Sequence, residues 1–228
     1  MTQRFSIALL VCCLGLAGNP TGGESLSELL ARMDHASASF TGMTATLKRV
    51  DHTEIIGSNE EEVARVKLKR SKTGLVGRVE FPDPNRRTVS LHDRTVEVFY
   101  PKSNTVQIVD ARDFGQQFDQ FLLLGFGTSG KDLEKNYNVR LIGPAMLGDL
   151  KTTHIELTPK SKQMLEYFQK AELWMSQGAP YPVQEKVHTN SQDYKLINYT
   201  DVKLNALLTD KELELLLPAG VKKIYPQK

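Results

Sequence analysis

The chain has 228 residues, and its 29 Lys and Arg nearly balance 27 Asp and Glu, for a net charge of +2. So small an excess argues against a nucleic-acid-binding protein, which concentrates a strong basic surplus on one face. The only cysteines, Cys12 and Cys13, fall in the leader described next, so the remaining chain has no disulfide scaffold, thiol nucleophile or cysteine zinc site.

Met1 to Arg4 carries one positive charge, and Phe5 to Leu16 is apolar apart from Ser6. Ala17 to Gly23 is small and turn-prone. Charged head, short apolar middle and small-residue exit read as a secretory signal peptide over 1–23. The apolar run is too short to span a bilayer, and no later stretch approaches 18 apolar residues. Lipidation at Cys13 would require a small preceding residue, which Cys12 fits poorly. Residues 24–228 are therefore expected as one exported, soluble domain of about 205 residues with a net charge of +1.

Ser25 and Glu28 form a capping-box pattern ahead of Leu26, Leu29, Leu30 and Met33, which recur at helical spacing. The helix is predicted to run to about Ser39. From Phe40 the period becomes twofold. Ala64, Val66, Leu68 and Arg70 share one face of a strand, opposite Arg65, Lys67 and Lys69. Leu75, Gly77, Val79 and Phe81 do the same in the next strand. Further strands are predicted at 40–50, 88–92, 95–100, 105–110, 138–143, 152–158, 170–175, 182–188, 194–204 and 212–217. Turn sequences such as Pro82–Asp83–Pro84–Asn85 and Pro101–Lys102–Ser103–Asn104 separate many of them. Short strands with tight turns and one polar face predict an antiparallel meander in a single domain. Two helical segments interrupt it. Gly115 to Phe126 is very apolar, with Phe118, Phe121, Leu122, Leu123 and Leu124, and Ser161 to Phe168 is a shorter candidate. The first must cover an apolar sheet face or remain exposed.

Residues Gly125 to Lys131 satisfy both G-x-G-x-x-G and G-x-x-x-x-G-K. Either pattern cradles phosphate only between a parallel strand and a helix. The residues before it are helical in pattern, and Asp132 stands where a P-loop needs Ser or Thr. Nucleotide binding is rejected, and a flexible glycine loop bordering an apolar helix is expected instead. His35, His52, His92, His154 and His188 are scattered, without metal-site spacing. No serine-hydrolase motif is present. Carboxylate pairs for glycoside hydrolysis depend on separations of roughly 5–10 Å that only a fold provides. The sequence offers nothing in favour of catalysis or of a cofactor.

Arg70 is the exception in this pattern, a guanidinium in phase with inward-facing aliphatics, costly to bury unless bonded. Either the strand ends at Lys69 and Arg70 turns outward, or Arg70 sits at the mouth of an apolar cavity and donates to whatever closes it. The segment ending at Phe126 is the candidate closure, or else a plain core helix.

Several stretches in shared order resemble the LolA family of periplasmic carriers of outer-membrane lipoproteins. They are Ala38–Ser39–Phe40–Thr41, Val66–Lys67–Leu68–Lys69–Arg70, Val89–Ser90–Leu91–His92–Asp93, Val98–Phe99–Tyr100–Pro101, Ile155–Glu156–Leu157–Thr158–Pro159–Lys160 and Leu217–Pro218–Ala219–Gly220–Val221. The resemblance implies a mainly β protein with some α: a half-open antiparallel barrel covered by the N-terminal helix and short lid helices over an apolar cavity. It implies acyl chains as cargo and carries to Arg70 the role of hydrogen-bonding the lid. Val66, Leu68, Leu75, Phe81, Val98 and Leu157 on strands, with Phe118, Phe121, Leu122, Leu124 and Phe126 above them, are then the expected lining. Expected partners are acylated lipoproteins or lipids, an inner-membrane transporter and an outer-membrane acceptor, for a monomeric periplasmic protein without nucleic acid. Two departures stand out: Ser71 replaces the proline that usually follows the arginine, and Leu75, Val76 and Gly77 replace an aromatic pair. An envelope-stress sensor on the same fold and an envelope-polymer hydrolase are the alternatives. The sensor would also bind a membrane partner; the hydrolase would need convergent carboxylates or histidines in a polar cleft.

Overall fold

The computed structural model describes residues 23–72, 74–92, 94–110, 124–189 and 191–226. The expected leader lies outside them except for Gly23, as do Phe118, Phe121 and Leu122 of the expected lining. No helix among the described residues is long and apolar enough to cross a membrane.

Helix α1 (Leu26–Ser39) starts at the Ser25–Glu28 capping box, with both reciprocal hydrogen bonds formed, and buries Leu29, Leu30 and Met33. The strands are β1 (Gly42–Thr53), β2 (Ser58–Ser71), β3 (Gly74–Phe81), β4 (Arg87–His92), β5 (Thr95–Tyr100), β6 (Thr105–Asp110), β7 (Tyr137–Leu147), β8 (Leu150–Pro159), β9 (Lys170–Ser176), β10 (Pro182–His188), β11 (Tyr194–Leu204) and β12 (Lys222–Ile224). They make one open sheet in the order β12-β6-β5-β4-β3-β2-β1-β11-β10-β9-β8-β7. All neighbours are antiparallel except β12 and β6, which run parallel. The protein is thus mainly β with a few helices, and its sheet does not close on itself.

Two expectations are corrected. Residues 212–217 are not a strand. Thr209 and Glu212 form a second capping box that opens the one-turn helix α4 (Asp210–Leu213). This segment crosses the outer face of β2 and β3, held by Lys69–Asp210 at 2.8 Å and by Arg78 donating to the Glu214 carbonyl at 2.9 Å. Its alternating Glu and Leu mimic a strand, but Leu213 is buried while Glu212 meets Lys67. The second correction is helix α2 (Gly130–Asn136), which occupies part of the expected glycine loop. Ser129 caps it, accepting from Asp132 N–H at 3.0 Å, and Gly130 lets it press on α1: a Cβ there would meet the Leu30 carbonyl oxygen at 2.5 Å. Lys131 N–H bonds Asp34 instead of facing a ligand.

The buried residues fall into two clusters. One packs α1 and α2 with helix α3 (Lys162–Leu165) on β7–β10, around Met33, Leu133, Phe168, Ile155, Leu157 and Leu173. The other lies on β1–β4, with Phe40, Met43, Ala45, Val66, Leu68, Leu75, Leu91 and Phe126. In the first, helices fill the face. Truncating Met33 to Ala should therefore cost about 2–5 kcal/mol of stability, against about 1 kcal/mol for Ser25→Ala at the cap. Urea titrations of both variants check the ranking; equal losses would mean α1 contributes little beyond its own helicity.

Candidate functional site

The register of the sheet aligns four valines. Val66 faces Val79 on β3, Val79 faces Val89 on β4, and Val89 faces Val98 on β5. Leu68, Gly77, Leu91 and Val96 form the adjacent row, and a Cβ at Gly77 would collide with the Leu68 side chain. Val66 and Leu68 are buried, but Leu47, Val79, Val89, Val96 and Val98 are only half-buried. The inner face of β1–β5 is thus an apolar strip that the described side chains do not fully cover.

Residues 124–127 form a roof at one end of this strip. Leu124 is pinned in the helix-side cluster and Phe126 in the β1–β4 cluster. Phe126 stacks on Tyr181 at 5.8 Å and meets Tyr199 edge-on at 4.8 Å. Gly125 (φ +78°) and Gly127 (φ +66°) take left-handed conformations that favour glycine. At Gly127 a Cβ would collide with the Phe40 ring. Arg70 ties the roof down: its guanidinium donates to the Gly127 carbonyl at 2.7 Å and to the Ser37 carbonyl at the end of α1 at 3.0 Å. It also sits 5.3 Å from the Phe40 ring centre. The Ser37 hydroxyl donates to the same Gly127 oxygen at 2.6 Å. β2 continues through Arg70, opposite Leu75, so the inward phase is real. Yet the guanidinium is exposed at the rim rather than buried. Beside this tie, Arg32, His35, Ala36, Phe40, Gly127 and Ala179 border a cleft of about 400 Å³.

The opposite end of the strip is charged. Arg87 grips Glu62 with two bonds of 2.7 Å, and Arg49 reaches the same carboxylate at 2.7 Å. The Arg87 hydrogen bonds come first among the causes that hold Glu62 below the usual carboxylate range. Phe81 lies beneath, 3.6 Å from Arg87 and 5.8 Å from Arg49. It thus belongs to an ionic plug rather than to the apolar strip. Of the remaining expected residues, Val66, Leu68, Leu75 and Phe126 share one cluster, with Val98 alongside. Leu157, wholly buried, and Leu124 lie in the helix-side core instead.

One inward-facing charge escapes the sequence reading. Glu185 on β10 pairs with Ile197 and Leu173 and is 5 % exposed. Its Oε1 has no hydrogen-bond partner among the described residues, and the Tyr199 hydroxyl is the neighbour its carboxyl engages. Burial pushes Glu185 up to about 8. Burial likewise raises Tyr137 to about 12 and Tyr199 well above the ordinary tyrosine range, with Glu185 adding to both. A signal exists: within 182–188, Glu185 keeps the phase of Val187 as Arg70 keeps that of Leu68. On the outer face, His154 and His188 meet at Glu172, at 2.8 and 2.6 Å, although their spacing suggests isolated residues. No cluster able to hold a metal occurs among the described residues.

No protein-family model matches the sequence, and a search of curated proteins found no match. Solved structures share the fold. An uncharacterized conserved protein from Thermus thermophilus superposes with a TM-score of 0.55 at 17% identity, over 89% of this chain and all of that one. The chain is also similar to a LolA superfamily protein from Nitrosomonas europaea (TM-score 0.41, 14% identity, 84% of this chain and 98% of that one). The Mycobacterium tuberculosis lipoprotein LppX gives 0.49 at 14% identity, over 81% of this chain and 99% of that one.

Because the folded state raises the Glu185 pKa, it holds a proton that the unfolded chain releases above its ordinary pKa of 4.5. This group's contribution is complete below that value and is lost as pH rises toward about 8. Glu185→Gln should therefore melt close to the parent at pH 4.5 but clearly higher at pH 8.5. A stability difference that does not vary with pH would contradict the buried, protonated carboxyl.

Proposed function

We propose that the protein is a periplasmic carrier that holds the acyl chains of lipoproteins against the Val66–Val98 strip and moves them toward the outer membrane without catalysis. The observation that carries this reading is the half-covered valine ladder beneath a roof tied by Arg70 to two backbone carbonyls. An acyl chain stays in a bilayer because each buried methylene is worth about 0.8 kcal/mol, so ~15 methylenes hold by roughly 12 kcal/mol. Crossing water requires an apolar surface in exchange, and aliphatic side chains supply it without demanding a particular cargo. The resemblance to LolA carriers read from the sequence supports the same conclusion, including a half-open barrel with the roof segment as lid. An inner-membrane transporter that loads the carrier and an outer-membrane acceptor that unloads it belong to this proposal.

Release follows from competition. Two hydrogen bonds to carbonyls and one aromatic contact stabilise the closed, empty state, and ligand must displace them. Removing them leaves the open state less opposed, so ligand binds more tightly and leaves more slowly. Arg70→Leu should take up a fluorescent acyl probe at least as well as the parent. It should transfer lipoprotein to acceptor vesicles about tenfold more slowly, as expected if the tie is worth about 1.4 kcal/mol. Normal transfer would reduce Arg70 to a strand-end residue. Failure of the parent protein to bind acyl probes, or to release lipoprotein from inner-membrane vesicles, would end the carrier reading.

A further inference from the structure

We propose that Glu185 and Tyr199 form a hydrogen-bonding anchor beneath the roof that takes the carbonyl of an ester- or amide-linked acyl chain. The inference rests on the carrier reading and adds to it a chemical class of ligand and a position for its polar linkage.

The starting point is an uncompensated cost. A buried carboxyl lacking a full set of partners is expensive in a protein interior, and Glu185 is buried with Oε1 unbonded. The cations of the neighbouring strands and helix are engaged elsewhere. Arg49 is committed to Glu62 and Asp51, and Arg32 to Glu24. Lys195 leans toward Asp51, while Lys186 sits over the Tyr194 ring. Among the described residues, the strand neighbours of Glu185 are aliphatic, Leu173 on β9 and Ile197 on β11, and the Tyr199 phenol hydrogen-bonds its carboxyl. In such surroundings burial keeps the carboxyl protonated at neutral pH, with its pKa near 8. A protonated carboxyl offers one O–H donor as well as acceptor oxygens, and a phenol offers another O–H. A ligand suited to this pair is a neutral hydrogen-bond acceptor. Among the described residues, no cation is paired with Glu185 that an anionic phosphate or fatty-acid carboxylate could use.

The location agrees with an acyl linkage. Tyr199 lies opposite Leu47, directly beside the apolar strip, and is only half-buried. Phe126 covers its ring at 4.8 Å, so a displacement of the roof that breaks the Arg70 bond to Gly127 uncovers Tyr199 first and Glu185 behind it. A carbonyl held there leaves the hydrocarbon tail free to run across β1 toward Val66, Val79 and Val98. The group attached beyond the linkage then lies toward the mouth at Gly127 and Phe40. A wholly apolar pocket could not orient a chain this way, because burial of methylenes is non-directional.

The test compares lipids that differ only at the linkage. Dipalmitoylglycerol carries ester carbonyls; dihexadecylglycerol has the same number of chains but ether oxygens. Each competes with a pyrene-labelled alkane for the purified full chain. The parent should prefer the ester about tenfold, the worth of one well-placed hydrogen bond. Glu185→Leu and Tyr199→Phe should bring that ratio close to one while keeping affinity for the ether. Glu185→Gln, whose amide still donates, should retain much of the preference. Equal binding of ester and ether by the parent overturns the anchor and leaves the carrier reading standing, as does a preference that survives Glu185→Leu. Binding of neither lipid overturns both. If Glu185→Leu does not fold, Tyr199→Phe decides on the same readout.

Discussion

The guanidinium of Arg70 joins three parts of the molecule that the backbone alone would leave independent. It grows from β2, accepts no bond of its own, and donates to the last turn of α1 through Ser37 and to the roof through Gly127. Both carbonyls already accept one bond, Ser37 from the Phe40 N–H and Gly127 from the Ser37 hydroxyl. The guanidinium adds a second, charge-assisted bond to each. Its exposure at the rim keeps it modest in strength, since solvent competes with charge-assisted bonds. A stronger, buried lock would hold the roof permanently.

The two halves of the inner face differ because the helices are unevenly distributed. Over β7–β10, α1 and α2 insert Leu29, Met33 and Leu133 between the strand residues and fill the layer. Over β1–β5 the described residues that cover the sheet are few, chiefly Phe40 and Phe126. The same alternating strands thus make a solid core on one side and a part-open apolar strip on the other. The Arg49–Glu62–Arg87 cluster limits the strip at its far end, where Glu62 and Asp51 together balance the two guanidiniums that cap the apolar row over Phe81.

Most of the strand layout is legible in the sequence because alternation survives wherever one face is polar, and β2 and β3 follow Ala64–Arg70 and Leu75–Phe81 residue for residue. Alternation does not reveal which stretch of that inner face is filled. Val66 and Leu157 look alike in sequence, each an inward aliphatic on a strand. Only the placement of α1, a tertiary matter, puts one beside the strip and the other in a solid core. Leu213 misleads for a related reason: its alternating neighbours are equally compatible with a capped turn laid across the sheet. Arg70 stands out because charge among apolar residues violates the local pattern. Glu185 violates it in the same manner, but Gln184 and Lys186 on either side mask the violation.

These two violations have opposite physical consequences, and the difference follows from depth. Arg70 remains at the rim, where water can replace its partners, which suits the breakable tie that the proposed carrier needs. Glu185 is buried on β10 beside Tyr199, and burial favours its protonated form. A neutral acid and a phenol set just inside a breakable tie divide the entrance into two zones. The outer one holds an exposed guanidinium; in the proposed anchor the inner one would take an uncharged polar group before the face becomes aliphatic. The linkage of an acylated molecule, polar on one side and hydrocarbon on the other, has that same order of chemistry along its length.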